Sequence, residues 1–274
     1  MEDTLAILTV VYKNYDVLKD FFATLETQTF KNFKVYVADL SSEPQEYHYP
    51  PYVTCIKGIN HGYAYGVNIA MEQAVKDGLT QFCVINSDIV FANSFVVNAL
   101  KALQHHPKDI LGGKIYYARG YEFHKDRYTP EQKGHVIWFA GGEIDWANVF
   151  TKHIGVDEVD SGQYNLPREV DFITGCLMLY TKQVYDMVGK WDPTYFLYYE
   201  DTDFCVRASR KGIKLLYEPT LIIAHKNAQS TDGSGSDLHV KYQTKNRITF
   251  GLKYAPLKTK FHLLKNAVVG AFHK

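Results

Sequence analysis

Apolar runs of strand length alternate with stretches of helical period through the N-terminal part of the chain. Residues 5–12, Leu-Ala-Ile-Leu-Thr-Val-Val-Tyr, are apolar and β-branched and predict a buried strand. Val17, Leu18, Phe21, Phe22 and Leu25 recur at helical spacing and predict a helix from about Tyr15 to Gln28. Phe33 to Leu40 reads as the next strand, ending in Asp39 and Ser41-Ser42, and Thr54-Cys55-Ile56 as a short one. After Asn60-His61-Gly62 a helix is predicted from about Tyr65 to Asp77, then a strand from Gln81 to Ile85 ending at Asn86-Ser87-Asp88. A further helix covers roughly Ser94 to His105. This rhythm implies right-handed crossovers and a mostly parallel sheet flanked by helices, an α/β fold. Ligands of such sheets bind beyond the carboxyl ends of the strands. Asp39 and Asp88 fall just past two such ends.

The pattern is less regular from about 115 to 170, which reads as strands and loops laid over the sheet to shape a second substrate's site. Val170 to Tyr180 predicts a buried strand in which Gly175 permits close approach. Residues 229–237, rich in Ser, Gly and Asp, predict a loop. Between them lies Tyr195-Phe-Leu-Tyr-Tyr-Glu-Asp-Thr-Asp-Phe-Cys-Val-Arg207. Acids fill the first turn of a predicted helix that closes at Arg210-Lys211-Gly212. Glu200 and Asp201 thus sit at a helix N-terminus, where the dipole and free N–H groups favour an ionised carboxylate able to accept a proton. An acidic first turn is also an ordinary feature of a well-capped surface helix.

Composition and charge add boundaries. Aromatic residues make up 15% of the 274 and include 21 tyrosines, a residue that stacks and hydrogen-bonds. The formal net charge is zero but uneven: after Asp237 there are eight Lys and Arg and no acid, against a net −8 before it. That asymmetry points to an anionic partner for the C-terminal segment. Phe261, Leu264, Val268 and Ala271 form one helical stripe with lysines beside it. It reads either as a helix packed on the domain or as one lying on an anionic membrane. No nucleic-acid-binding motif accompanies the charge. Cys55, Cys83, Cys176 and Cys205 have neither zinc nor disulfide spacing. With an acidic N-terminus unlike a signal peptide and no apolar run long enough to span a bilayer, a cytoplasmic location is expected.

A lone Asp after a strand is commonly a cap or turn residue, and a lone His at a strand end a mere polar terminus. Yet Asp88 is well placed to hold a hard divalent cation, and His225, after Leu221-Ile-Ile-Ala224, offers an imidazole that also suits Mn²⁺-like ions.

Taken in order, Val10-Val11-Tyr12-Lys13-Asn14, Val37-Ala38-Asp39-Leu40-Ser41-Ser42, Asn60-His-Gly-Tyr-Ala-Tyr-Gly-Val-Asn68, Val84-Ile-Asn-Ser-Asp88, Asp171-Phe-Ile-Thr-Gly-Cys176, Gly189-Lys-Trp-Asp192, Tyr198-Tyr-Glu-Asp-Thr-Asp203 and His225 resemble the family 2 glycosyltransferases of the GT-A fold, in particular bacterial rhamnosyltransferase-type members. The resemblance runs from Leu5 to Tyr254. It implies a Rossmann-like central sheet, an acceptor-side α+β region and a C-terminal helix. The expected division is one domain over 1–255, with a nucleotide-binding half (1–110) and an acceptor and catalytic half (111–228), followed by a basic amphipathic helix over 256–274.

The resemblance also implies roles. Val11, Tyr12 and Asp39 would bind the nucleoside, with Asn60, Gly62 and Asn68 wrapping it. Asn86, Ser87, Thr174 and Gly175 would line the rest of the donor. Asp88 and His225 would hold Mg²⁺ or Mn²⁺. Asp201 would be the catalytic base and Glu200 its neighbour or an acceptor anchor; Arg207 would pair with an acid. The implied reaction is inverting transfer of one sugar from a nucleotide-sugar donor, dTDP-rhamnose or a UDP-hexose, to a hydroxyl of a glycan or lipid-linked acceptor in cell-surface polysaccharide synthesis. No QxxRW-type motif of the processive polymerases follows the acid cluster, as Trp191 is the last tryptophan. The competing readings are a catalytically inactive glycan- or nucleotide-binding module on the same fold, and a nucleotidyltransferase, which would want a glycine-rich phosphate loop near the N-terminus.

Overall fold

The computed structural model describes residues 4–43, 45–227 and 236–272, with side chains described up to Lys265. Its elements in chain order are β1 (Leu5–Val11), α1 (Leu18–Glu26), β2 (Phe33–Asp39), β3 (Val53–Lys57), α2 (Tyr63–Lys76), β4 (Gln81–Ile85), β5 (Ile89–Phe91), α3 (Phe95–His105), β6 (Ile110–Tyr117), β7 (Ile137–Phe139), β8 (Gly142–Asp145), β9 (Phe150–His153), β10 (Arg168–Glu169), β11 (Leu177–Thr181), α4 (Lys182–Val188), α5 (Glu200–Ser209), β12 (Leu215–His225), α6 (Asp237–Tyr254) and α7 (Leu257–Phe272).

One sheet runs through the molecule in the order β10-β12-β6-β11-β4-β1-β2-β3. β1 lies parallel between β2 and β4, buried almost throughout, which is why its sequence is a continuous apolar run. β2 and β3 are parallel, as are β6 and β12. β11 is antiparallel to both β4 and β6, so these two share a direction. The sheet is therefore mostly parallel, with β11 inserted between its two groups. Because a late strand sits between early ones, the sheet is continuous across residue 110 and the two expected halves share one core.

Three boundaries differ from the sequence pattern. Only Leu177–Thr181 of the strand expected over 170–180 joins the sheet. Before it the chain turns, Leu177 N–H donating to Thr174 O, and the Gly175 N–H serves a carboxylate instead of a ladder. β6 was not anticipated, because Gly112-Gly113 interrupts its apolar run. Neither glycine tolerates a side chain: a Cβ would lie 2.6 Å from Ile173 at Gly112 and 2.1 Å from Leu221 O at Gly113. The loop expected over 229–237 lies mostly outside the described residues, but Ser236 caps α6 by accepting from His239 N–H, and Asp237 is its first residue. α6 packs beneath the acid-rich segment, and α7 folds back on it with Leu263 against Gly251.

Candidate active site

The site lies at the carboxyl ends of the strands. β4 ends at Ile85, and Asn86-Ser87-Asp88 leads straight into β5, which pairs antiparallel with β12 so that Ile89 faces His225. That register brings His225 Nε2 to 3.1 Å from Asp88 Oδ1, with both side chains buried. Beyond this contact Asp88 Oδ1 has no hydrogen-bond partner among the described residues. Burial works against a proton on His225, but the Cys176 sulfur and the Asp88 carboxylate outweigh it and set its pKa well above the ordinary histidine value. With its proton displaced by a cation, the imidazole beside a buried carboxylate with an unused lone pair is a donor set that fits Mg²⁺ or Mn²⁺. Among the described residues no cluster of three or more His, Cys, Asp or Glu forms around a metal position. The remaining ligands would have to come from diphosphate and water.

The acids arrive on a strained loop. Tyr198 and Tyr199 both have positive φ, 69° and 72°, immediately before α5. Consecutive left-handed non-glycine residues persist only where surroundings hold them. Asn246 of α6, fully buried, donates to Leu197 O (2.8 Å) and Tyr198 O (3.0 Å). Tyr199 OH donates to Val149 O, and Tyr63 N–H to Phe196 O. On the far side of α5, fully buried Asp203 accepts from Arg207 (2.7 Å), Lys253 (2.6 Å) and Tyr254 (2.6 Å). Arg207 thus pairs with an acid as expected, and it also donates to Val188 O and Lys190 O.

Asp201 emerges from this frame half-buried. Its Oδ2 accepts the Gly175 N–H at 2.9 Å and its Oδ1 accepts from the Thr202 N–H at 2.6 Å. Burial raises its pKa, and these hydrogen bonds offset only part of the rise. Glu200 is buried, with Oε2 unpartnered among the described residues; burial and the Asp201 charge push it well above the carboxylate range. At Glu200 desolvation by burial thus opposes the ionised state that a helix N-terminus favours. Tyr63 OH donates to Gly175 O at 2.9 Å, so the Gly175 residue is held at both its N–H and its C=O. Burial drives the Tyr63 phenol well up, and the charges of Glu200, Asp201 and Asp88 push the same way.

The other candidates take distinct places. Val11 and Asp39 are register partners at the ends of β1 and β2, strands that lie one and two spacings, about 5 and 10 Å, from β4. Asp39 is buried and accepts from Tyr15 OH and Ser41 N–H. Tyr12 is exposed, with Lys13 over its ring. Asn60 Oδ1 accepts from Gly62 N–H, and Gly62, at φ +97°, caps α2. Asn86 is half-buried, its N–H donating to Cys176 O; Ser87 and Thr174 are buried, and Thr174 Oγ1 accepts from Cys176 N–H. The Asn68 amide donates to Trp191 O at 2.8 Å and its carbonyl accepts Trp191 N–H at 2.9 Å, so it ties α2 to the 189–192 turn. Sequence reading missed Tyr63, Asn246 and a wall formed by Trp138 and His153. Trp138 meets the His153 and His225 rings edge-on at 4.5 and 4.8 Å, and burial lowers the His153 pKa to about 4, leaving it neutral. Only Tyr63 lay within a quoted motif; Asn246, Trp138 and His153 carry no local signal.

A large, mostly parallel sheet flanked by helices, with an Asp–His pair at one strand end and two buried or half-buried acids beside it, has the architecture of a GT-A glycosyltransferase. The profile of the family described as glycosyltransferase like family 2 matches residues 44–248, well over half the chain, and the protein belongs to that family. It is 25% identical over 245 residues to the N-acetylglucosaminyl-diphospho-decaprenol L-rhamnosyltransferase of Mycobacterium tuberculosis, covering 84% of this chain and 78% of the relative. Among solved structures it resembles GalNAc-T7 with UDP, GalNAc and Mn²⁺ (TM-score 0.63, 13% identity, 88% of this chain) and spans 48% of that protein's chain. It also resembles a mannosyltransferase of Pyrobaculum calidifontis with GDP-Man and Mn²⁺ (TM-score 0.57, 12% identity, 96% of this chain and 70% of that one). The protein is a glycosyltransferase with the GT-A fold, similar to rhamnosyltransferases.

Proposed function

We propose that the protein is an inverting, metal-dependent enzyme that moves one sugar from dTDP-rhamnose or a UDP-hexose to a hydroxyl of a glycan or lipid-linked acceptor in cell-surface polysaccharide synthesis. The observation that carries this reading is that residues far apart in sequence meet at one strand end: Asp88 and His225 lie 3.1 Å apart, and the Gly175-Cys176 turn holds Asp201 through the Gly175 N–H and Asn86 through the Cys176 carbonyl. Asp88 and His225 would hold Mg²⁺ or Mn²⁺, which supplies positive charge to the leaving diphosphate. Asp39, with Val11 and Tyr12, would take the nucleoside at the β1 and β2 ends. Asp201, fixed by the Gly175 N–H, accepts the proton of the acceptor hydroxyl. The acceptor oxygen bonds to the anomeric carbon as the bond to the diphosphate oxygen breaks on the opposite face, so one displacement inverts configuration and no enzyme nucleophile is needed. Trp138 and neutral His153 offer an apolar, hydrogen-bonding wall for the acceptor sugar. Four free thiols, including partly exposed Cys55, fit a reducing cytoplasm.

Isothermal calorimetry with dTDP, UDP and GDP, each with and without Mn²⁺, on the parent and on Asp88→Ala, tests the donor site. Metal-dependent binding of one nucleotide that the variant loses supports the reading and identifies the donor class. Absence of binding to all three refutes it. Binding with no donor turnover in the presence of metal favours the inactive-module alternative.

A further inference from the structure

α7 has two unlike faces. Thr259 and Leu263 are buried against the rest of the protein, while Leu257 and Phe261 are each 79% exposed and Leu264 50%. At 100° per residue the three exposed apolar side chains fall within one narrow stripe opposite the buried face. Lys260 borders the stripe on one side, and Lys258 and Lys265 border it on the other. α6 adds exposed Lys241 and Lys245 one turn apart. From residue 238 to the last residue of the sequence there is no Asp or Glu. A stripe that only had to finish the core would be covered, and one that only had to be soluble would be polar. Exposed apolar residues fringed by lysines suit an interface that is apolar below and anionic at its surface.

We propose that the Leu257-Phe261-Leu264 stripe of α7, with its flanking lysines, docks the protein on the surface of an anionic phospholipid bilayer. Leu and Phe enter the acyl boundary while the lysines pair with lipid phosphates, so α7 lies in the interface plane. No helix of the described residues is long and apolar enough to cross a membrane, and surface docking needs none. This surface is distinct from the Asp88–His225 and Asp201 site, so its failure leaves the catalytic reading untouched.

The test is flotation of the full-length protein with vesicles of phosphatidylcholine alone and of phosphatidylcholine with phosphatidylglycerol. Two variants are compared, Leu257→Ser/Phe261→Ser/Leu264→Ser and Lys258→Glu/Lys260→Glu/Lys265→Glu, both altering exposed positions except half-buried Lys260. Thermal melting confirms that each is folded. The parent should float with the phosphatidylglycerol vesicles at least tenfold more than with the neutral ones, and high salt should release it. The serine variant should lose at least tenfold in partition, and the glutamate variant should lose about fivefold or more per lysine reversed. Equal partition to neutral and anionic vesicles, or unchanged flotation of either variant, overturns the proposal. So does light scattering that finds the parent dimeric and the serine variant monomeric with flotation unaffected, which would make the stripe a self-association surface.

Discussion

Gly62→Ala isolates the coupling between the nucleotide-side helix α2 and the acid-bearing loop. Gly62 has φ +97° and ψ 175°, a region nearly exclusive to glycine, so alanine carries about 1–3 kcal/mol of backbone strain. Its Cβ would also lie 2.1 Å from Phe196 O and 2.6 Å from Phe196 Cα. Relief requires the loop to retreat by about an ångström, since such contacts do not occur below 3.0 Å. That movement breaks the Tyr63 N–H bond to Phe196 O, worth about 1 kcal/mol. The total is about 2–4 kcal/mol, or a melting temperature lower by roughly 5–15 °C. Phe196 lies four residues before Glu200, so the displacement reaches Asp201, where an ångström of misplacement costs about a hundredfold in kcat. Gly78→Ala is the control: φ is +82°, but nothing lies within 4 Å, so it carries backbone strain alone. Melting curves and initial rates of sugar transfer on both variants decide the matter. A Gly62→Ala enzyme whose kcat stays within threefold of Gly78→Ala would refute the argument that the loop is seated on α2.

Other expectations follow from the same geometry. Asp201→Asn should reduce kcat by about 10²–10⁴ while nucleotide affinity by calorimetry holds. Because burial raises the Asp201 pKa, the acid limb of kcat/KM should titrate above the pH of an ordinary aspartate, and a limb near pH 4 would speak against Asp201 as base. Glu200 is raised further: its contribution to stability is fully present below its unfolded pKa and is lost as pH rises through the folded value. Glu200→Gln should therefore raise the melting temperature at neutral pH, with little gain near pH 4; equal gains at both would contradict it. Asp203→Ala strands Arg207, Lys253 and Tyr254 around a buried gap and should cost about 3–5 kcal/mol by denaturant unfolding.

Much of the site was legible because its chemistry sits at strand ends, and buried parallel strands announce themselves as apolar runs. β1, β2 and β4 read directly, and Asp39 and Asp88 follow from where those runs stop. The residue pattern places His225 at a strand end, and only the family resemblance put it with Asp88, because that contact depends on β5 pairing with β12 across the whole chain. β6 was hidden by Gly112-Gly113, glycines required by packing against Ile173 and Leu221 rather than by a turn. The pairing of Asn68 with Trp191 was out of reach too, because it joins side chain and backbone more than a hundred residues apart.

α6 shows why the remainder was out of reach. Among its residues only Asn246, Phe250 and Gly251 are buried, so it lacks the apolar stripe by which a helix is recognised. Its work is done by individual polar atoms: Asn246 on the Leu197 and Tyr198 carbonyls, Lys253 and Tyr254 on Asp203. These bonds bracket the acid segment, one group holding the strained turn before α5 and the other the first turn of α5 itself. Glu200 and Asp201 lie between the two. The orientation of Asp201 is therefore set by a helix that is nearly adjacent to it in space and distant in sequence. A strained Tyr-Tyr pair can persist before the acids because Asn246 of α6 satisfies the Leu197 and Tyr198 carbonyls on one side while the Tyr199 hydroxyl reaches Val149 O on the other.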